Sequence, residues 1–311
     1  MNDIKVIFMG TPEFSIPVLE GLIKNYNVVG VVTQPDKETG RNMELVPSPI
    51  KQTALGNNIK ILQPIKIRKD YDDIIKLNPD IIITCAYGQI IPKALLDAPR
   101  LGCINVHASL LPKLRGSSPI HRAIMDGYKK TGITIMYMDE HMDTGDIISQ
   151  KETEITNEMT TGDLHDILSV LGRDLLLETL PAIINGTNNR IKQDEEEATL
   201  TKLLTREDEH IDFNKNTIDV YNQIRGLNPY PGAYVIYKNK IMKIYNSKIG
   251  NSKNTDIPGK IISTTNDGFN VCTKDGIIII SDIKIEGKKR MSVKDYLNGI
   301  SKEDIVGSVL E

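Results

Sequence analysis

The chain has little that would staple it covalently or anchor it in a bilayer. Its 311 residues include three cysteines, Cys85, Cys103 and Cys272, an odd and widely spaced set with no Cys-x-x-Cys pair. That argues against a disulfide framework and a thiolate zinc site, and a reducing cytoplasm is the expected compartment. Apolar runs such as residues 277–280 are far too short to cross a membrane, so no membrane partner is expected. The N-terminus has no signal-peptide layout, and no internal repeat or low-complexity tract is visible. Neither sign of charge dominates: the net charge is −3, so no global field announces a nucleic-acid partner.

What is present fits a soluble globular protein of one large domain or two ordinary ones, with 40% hydrophobic and 25% charged residues. The charge is unevenly shared. Residues 209–311 carry 15 Lys+Arg against 12 Asp+Glu, net +3, and the remainder carries 23 against 29, net −6.

The first half alternates apolar runs with helical patterns. Ile4–Met9, Val28–Thr33 and Asp80–Cys85 are continuous, β-rich runs, and helices are expected over Phe14–Ile23 and Asp70–Leu77. Uninterrupted apolar strands alternating with helices predict an α/β fold, a mostly parallel sheet covered on both faces. Sites in such sheets form at the carboxyl ends of the strands, here the turns after Met9, Thr33, Cys85 and His107. Gly10-Thr11-Pro12-Glu13 is not a G-x-G-x-x-G fingerprint and reads as a structural turn. A helix is expected over Thr160–Gly186, with Thr160 and Asp163 as a capping box and a Leu164, Ile167, Leu168, Leu171, Leu175 core stripe. Periodicity then collapses, which places a linker over 188–208 between a domain of residues 1–187 and a second of 209–311.

From about Ile211 the texture changes. A helical piece over Thr217–Gly226 leads to short strands at Ala233–Tyr237, Ile241–Ile249, Gly259–Ser263, Gly268–Cys272 and Ile277–Ile285. Tight turns at Lys238-Asn239, Asn266-Asp267-Gly268 and Asp275-Gly276 separate them, a pattern that suggests a small β-barrel.

The stretch from Cys103 to Ile147 carries the chemistry. Asn105 and His107 share one face of a strand end, where an amide and an imidazole can present donors to one oxygen. A carboxylate such as Asp143, folding back onto that imidazole, would orient and charge it. Alone, His107 would read as a satisfied, half-buried histidine, and Asp143 before Thr144-Gly145 as a turn residue. Asp139, Glu140, His141 and Asp143 lack the convergent spacing of an oxygen-ligand site, so no metal is expected.

Asn-Val-His at 105–107, Ser-Leu-Leu-Pro at 109–112 and an Asp 36 residues after His107 together resemble the folate-dependent formyltransferases. Further segments are similar to the branch whose acceptor is methionine on initiator tRNA: FMGTPEFSIPVLEGL at the start, TQPDKETGRNMELVPSPIK at 33–51, AYGQIIPK at 86–93, IRGLNPYPGA at 224–233 and KKRMS at 288–292. The resemblance implies a Rossmann-like catalytic domain followed by an OB-like C-terminal barrel that meets tRNA. It implies 10-formyltetrahydrofolate as co-substrate, no metal, initiator methionyl-tRNA as partner, and a monomer. Asn105, His107 and Asp143 would be catalytic. Ser109, Leu110, Leu111 and Pro112 would line the folate pocket, with Ala86, Tyr87, Gly88 and Ile91 closing its pterin side. Arg41, Lys238, Lys240, Lys243, Lys248, Lys288, Lys289 and Arg290 would meet tRNA phosphates, although surface lysines usually only solvate. The chain departs from the family's habit in three places: Asn42, Met43 and Glu44 stand where lysines often follow the Gly-Arg, His141 where Gly is common, and Tyr230 where Trp is common. The nearest rival is a formyltransferase for a sugar-linked amine, which shares the core motif and a similar barrel. A purine-pathway enzyme would match only the first domain, and a non-catalytic RNA-binding module would not need the Asn105, His107, Asp143 set.

Overall fold

Strand formation in the first half follows from residues that are apolar on both faces. All five residues of Ile81–Cys85 are buried, so the segment is covered above and below. In the computed structural model, which describes residues 2–39, 43–254, 256–266 and 268–311, that strand is near the middle of a seven-stranded sheet. The strands are β1 (Asn2–Gly10), β2 (Tyr26–Val32), β3 (Ile61–Leu62), β4 (Ile81–Cys85), β5 (Cys103–His107), β6 (Lys130–Tyr137) and β7 (Ile147–Glu154). They lie in the order β7-β6-β5-β4-β1-β2-β3. The pairs β1–β2, β1–β4, β4–β5 and β2–β3 are parallel, whereas β5–β6 is antiparallel. The mostly parallel sheet expected from the apolar runs is therefore present, with the antiparallel β5–β6 pair added to it. Burying one such Ile or Val contributes roughly 1.5–3 kcal/mol relative to leaving it in water.

Helix α1 (Ile16–Asn25) begins after a 3-10 turn at Glu13–Ser15 and carries Pro in its first turn, where no backbone N–H is lost. Gly10-Thr11-Pro12 is a structural turn: the Thr11 hydroxyl donates to the Tyr87 carbonyl at 3.1 Å. The helix expected over Asp70–Leu77 is shorter, Asp72–Ile75. Helix α2 (Thr161–Asn185) starts where the capping box predicts. The Thr160 hydroxyl and N–H donate to the Asp163 carboxylate at 2.6 and 2.9 Å.

The chain forms two compact units. One comprises Met1–Gly116, Thr131–Thr153 and His165–Thr201; the other comprises Ser117–Lys130, Glu154–Leu164 and Lys202–Glu311. The expected linker over 188–208 is corrected in its first part. Residues up to Thr201 are built into the first unit, because Leu200–Thr201 pairs in parallel with Arg115–Gly116 and gains backbone partners there.

The second unit holds an antiparallel sheet of β8 (Ala233–Tyr237), β9 (Lys240–Lys253), β10 (Ile261–Thr265), β11 (Gly268–Cys272), β12 (Gly276–Ile285) and β13 (Met291–Ser292). Its path runs β8-β9-β12-β11-β10, with β13 beside β12. Lys238 and Asn239 both take positive φ, the two-residue turn whose twist suits a hairpin. Helices α3 (Thr217–Gly226) and α4 (Val293–Leu297) cover the sheet, and Val220, Ile224, Val293 and Tyr296 join Val235, Ile244, Val271 and Ile280 in one core. Among the described residues no helix is long and apolar enough to cross a membrane.

The end of the sheet opposite the site is tied by a carboxylate. Asp80 accepts from the Lys5 backbone N–H at 2.8 Å and pairs with Arg100 at 2.6 Å. The Lys5 N–H is the main reason its carboxyl is held below the usual carboxylate range, with burial opposing and Arg100 adding. The unfolded chain titrates at about 3.9. A depressed folded value means the stabilisation is full above that pH and disappears as pH falls through the folded value. Asp80→Asn should therefore lower the melting temperature more at neutral pH than in acid below the depressed folded value, where the carboxylate is protonated. Thermal melts at the two pH values check this, and equal losses at both contradict it.

Candidate functional site

The site is built at the carboxyl end of β5. Alternation along the strand sends Ile104 and Val106 into the core and places Asn105 and His107 together on the other face. Register fixes their neighbours: Asn105 stands between Thr84 of β4 and Met136 of β6, and His107 opposite Thr134. The Thr84 hydroxyl lies 2.8 Å from Asn105 Oδ1 and 3.2 Å from the Ile104 carbonyl. It has one proton, and the shorter contact is the better claim on it. With its oxygen engaged, Asn105 presents its NH2 group outward, where it has no partner among the described residues.

His107 is 6% exposed and both ring nitrogens have neighbours. Nε2 lies 3.1 Å from the Leu114 carbonyl. A carbonyl only accepts, so Nε2 carries a proton and Nδ1 is the position free to gain or lose one. Nδ1 faces Asp143 Oδ2 at 3.6 Å, within ion-pair range but longer than a hydrogen bond. Catalytic contacts of this length in a ligand-free protein commonly tighten when substrate binds. The expectation that both side chains aim donors at one oxygen is thus corrected in part. Asn105 has a free donor, whereas the proton on His107 Nε2 is committed to backbone, leaving the ring to exchange protons on the Asp143 side.

Asp143 is brought there by a turn. Its φ is +56°, a conformation that non-glycine residues adopt at a cost. Oδ2 accepts from the Gly116 N–H at 2.8 Å, which fixes the carboxylate. Gln193 Nε2 donates to the carbonyls of Asp143 and Gly145, each at 2.8 Å. Two glycines permit the approach: a Cβ on Gly145 would lie 1.9 Å from the Tyr137 carbonyl oxygen, and one on Gly116 would lie 2.2 Å from that of Thr201. The acids around this turn diverge. Asp139 closes a local turn with Thr144 at 2.8 Å, and Glu140 lies 3.7 Å from Lys93.

The Ser109–Pro112 loop is pinned from below. Thr134 donates to the Ser109 carbonyl at 2.7 Å and accepts from the Leu111 N–H at 3.1 Å, while Gln150 donates to the Leu111 carbonyl at 2.9 Å. Leu111 packs with Met136 and Ile147 beside the strand end. Ser109 is fully buried, and its hydroxyl donates to the Lys113 carbonyl at 2.7 Å, so it shapes the loop. Leu110 and Pro112 are half-buried. In the 86–91 segment the side chains divide. Tyr87 and Ile91 belong to the core with Ile7, Met9 and Val32, while Ala86 and Gly88, both at positive φ, are exposed. Among the described residues the buried Tyr87 hydroxyl has no partner, and burial pushes its pKa up to about 12. Burial likewise raises the Cys85 and Cys103 thiols to about 12, which leaves them protonated and unsuited to nucleophilic work.

Sequence reasoning missed Thr84, Thr134, Gln150 and Gln193. They are ordinary polar residues from four separate segments, and only pairing register and a 50-residue return of the chain bring them to the site.

The basic residues named from the sequence fall in the second unit, except Arg41, which lies outside the described residues. Lys238, Lys240, Lys248, Lys288 and Lys289 are exposed. Arg290 is partly neutralised by Asp282 at 2.7 Å and lies over the Tyr245 ring at 4.2 Å. Lys243 donates to the Pro231 carbonyl and stands directly across the strands from Lys284, which sequence reading did not single out. Like charges in register oppose folding, so this pair concentrates positive charge at a cost. Lys248 lines a groove of about 790 Å3 together with Lys129, Tyr221 and Arg225.

Comparison with known proteins gives a consistent result. The family described as "Formyl transferase" matches residues 4–180, and "Formyl transferase, C-terminal domain" matches 203–301. The methionyl-tRNA formyltransferase of Lysinibacillus sphaericus (strain C3-41) is 49% identical over 306 residues, covering 97% of this chain and 98% of that one. That of Clostridium novyi (strain NT) is 45% identical over 310 residues, covering 99% and 100%. Among solved structures, the methionyl-tRNA formyltransferase from Clostridium thermocellum superposes with a TM-score of 0.58 at 20% identity, covering 91% of this chain and 98% of that one. A sugar 3N-formyl transferase crystallised with dTDP and 5-N-formyl-THF gives 0.68 at 24%, covering 93% and 100%. At these identities the solved structures speak to fold alone.

Gly116→Ala should destabilise the protein by at least about 1–3 kcal/mol from backbone strain, since its φ is +111° and the added methyl has no room. A urea melt reads this directly. A variant as stable as the parent would contradict the geometry that holds Asp143.

Proposed function

The chain belongs to the formyl transferase family and, within it, to the methionyl-tRNA formyltransferases, and on that premise we propose how it moves a formyl group from 10-formyltetrahydrofolate to the α-amino group of methionine on initiator tRNA. The observation that carries the proposal is the meeting of Asn105, His107 and Asp143 at one strand end, in a chain 45–50% identical to curated relatives over nearly its whole length. The sugar-amine alternative shares the core motif and the fold, but its solved representative is only 24% identical to this chain.

The residues suit a folate on one physical ground: a free amide donor lies near the end of β5, the loop that follows presents half-buried Leu110 and Pro112 beside the packed Leu111, Met136 and Ile147, and the exposed Ala86 and Gly88 follow the neighbouring strand. That pairs a polar contact for the formyl oxygen with apolar and main-chain surface for a flat heteroaromatic ring. The buried Tyr87, Ile91, Ser109 and Leu111 contribute by shaping this surface, and the half-buried Leu110 and Pro112 by facing it. The co-substrate supplies the formyl carbon.

In the transfer, the amine lone pair forms a bond to that carbon and the carbonyl electron pair moves onto oxygen. The Asn105 NH2 group donates to the oxygen as its charge develops, a contribution of about 3–4 kcal/mol for one well-placed donor. Thr84 keeps the amide from rotating by holding Oδ1. The attacking nitrogen sheds a proton, which passes to His107 Nδ1 beside the Asp143 carboxylate, directly or through water. As the intermediate collapses, the bond to the folate nitrogen breaks and that nitrogen takes up a proton. In this reading residues 1–187 bind folate and perform the chemistry, and 209–311 hold tRNA through Lys238, Lys240, Lys243, Lys248, Lys288 and Lys289, with Arg290 and Arg41 assisting.

Asn105→Ala, His107→Ala and Asp143→Ala should each lower kcat by about 10²- to 10³-fold in a formyl-transfer assay with charged initiator tRNA, while circular dichroism stays that of the parent. Near-normal turnover in the His107 variant would overturn the assignment. Binding to tRNA should weaken steeply with salt, and replacing Lys243 and Lys284 together by Ala should reduce the log–log salt slope by about one for each phosphate that is no longer neutralised. A salt-independent affinity would contradict the proposed surface.

A further inference from the structure

We infer that Gln193 is a positioning residue for Asp143, so that part of the stretch between the two family-matched regions, residues 181–202, belongs to the catalytic apparatus. The inference rests on the role proposed above for Asp143.

The turn that carries Asp143 has little packing of its own. Asp139, Glu140, His141 and Met142 are all exposed, and Asp143 sits in the left-handed region at φ +56°. A conformation of that kind persists only where neighbours over-determine it. Gln193 does so through its side-chain amide. The two hydrogens of Nε2 go one each to the carbonyls of Asp143 and Gly145, at 2.8 Å. Oε1 accepts from Arg115 Nε at 2.9 Å. That last contact sets which way round the amide stands, because a guanidinium can only donate.

Arg115 is itself held. It is 3% exposed, and its two terminal nitrogens form a fork on Glu195 at 2.9 and 2.8 Å. Its N–H donates to the Thr199 carbonyl at 2.9 Å, and its carbonyl accepts from the Thr201 hydroxyl at 3.0 Å. The next residue, Gly116, donates its N–H to the Asp143 carboxylate. Arg115-Gly116 therefore grips Asp143 twice: through the Gly116 N–H on its side chain, and through Gln193 on its backbone. Removing the Gln193 link frees the turn, and a displacement of about 1 Å at a reacting group can cost on the order of 10²-fold in rate.

The discriminating variant is Gln193→Glu. It keeps length, shape and the acceptor for Arg115, but it puts a carboxylate against two carbonyls and cannot donate to either. If Gln193 served only to anchor Arg115, glutamate would do as well. The positioning role predicts that Gln193→Glu and Gln193→Ala each lower kcat by about 10- to 100-fold, with KM for 10-formyltetrahydrofolate and for charged tRNA changed less than about threefold. Wild-type kcat in Gln193→Glu overturns the inference, as does a change confined to KM. Should the glutamate variant fail to fold, Gln193→Met, which cannot donate to either carbonyl, takes its place, and wild-type kcat in it overturns the inference. A second measurement needs no turnover: the nitrogen-15 shift of His107 Nδ1 in the substrate-free full-length protein. It should move in the variants as the carboxylate leaves the ring, and an unmoved signal overturns the inference. A wild-type protein inactive on charged tRNA would count against the functional reading instead, since the nitrogen-15 result would still report on Gln193.

Discussion

One oxygen of the Asp143 carboxylate, Oδ2, faces both a backbone N–H and an imidazole, and most of the site depends on that double contact. The N–H belongs to Gly116, at a position where any Cβ would collide with the Thr201 carbonyl. The imidazole belongs to His107, whose other nitrogen is spent on the Leu114 carbonyl. One short segment, Leu114 to Gly116, therefore sets both the protonated ring nitrogen and the direction of the acid. The remaining donor, the Asn105 amide, is oriented separately by Thr84 through strand register. In the proposed transfer, proton handling and oxyanion contact would thus come from different elements and could be perturbed independently.

The alternation of apolar strands and helices was legible because a parallel sheet covered on both faces demands residues such as Ile81–Ile83, apolar on either side. The hairpin at Lys238-Asn239 and the capping box at Thr160 and Asp163 were legible for the same local reason. Spacing also pointed to Asn105 and His107, because a period of two puts them on one face. What could not be read were interactions closing over long separations. Gln193 looks like any polar residue in a stretch without periodicity, and its partners lie at 115, 143 and 145. The same stretch read as a tether because its one strand is two residues long and pairs with another equally short. The division of labour in residues 86–91, core side chains at Tyr87 and Ile91 against exposed backbone at Ala86 and Gly88, was likewise invisible before the positive φ angles were known.

Charge follows the same separation of tasks. The first unit keeps its buried cation, Arg115, paired and uses it as scaffold. The second leaves most of its named lysines exposed, sets Lys243 against Lys284 across two strands, and lines a groove with Lys129, Arg225 and Lys248. Like charges in register are a cost to folding that an anionic partner would relieve.

The central claim is that His107 and Asp143 act as one unit on a proton. A double-mutant cycle in kcat/KM tests it directly. If the pair is a unit, adding Asp143→Ala to His107→Ala should cost less than about threefold beyond the single change, because the function of the acid already disappears with the ring. Two full effects that multiply would show that the residues act separately and would contradict the account.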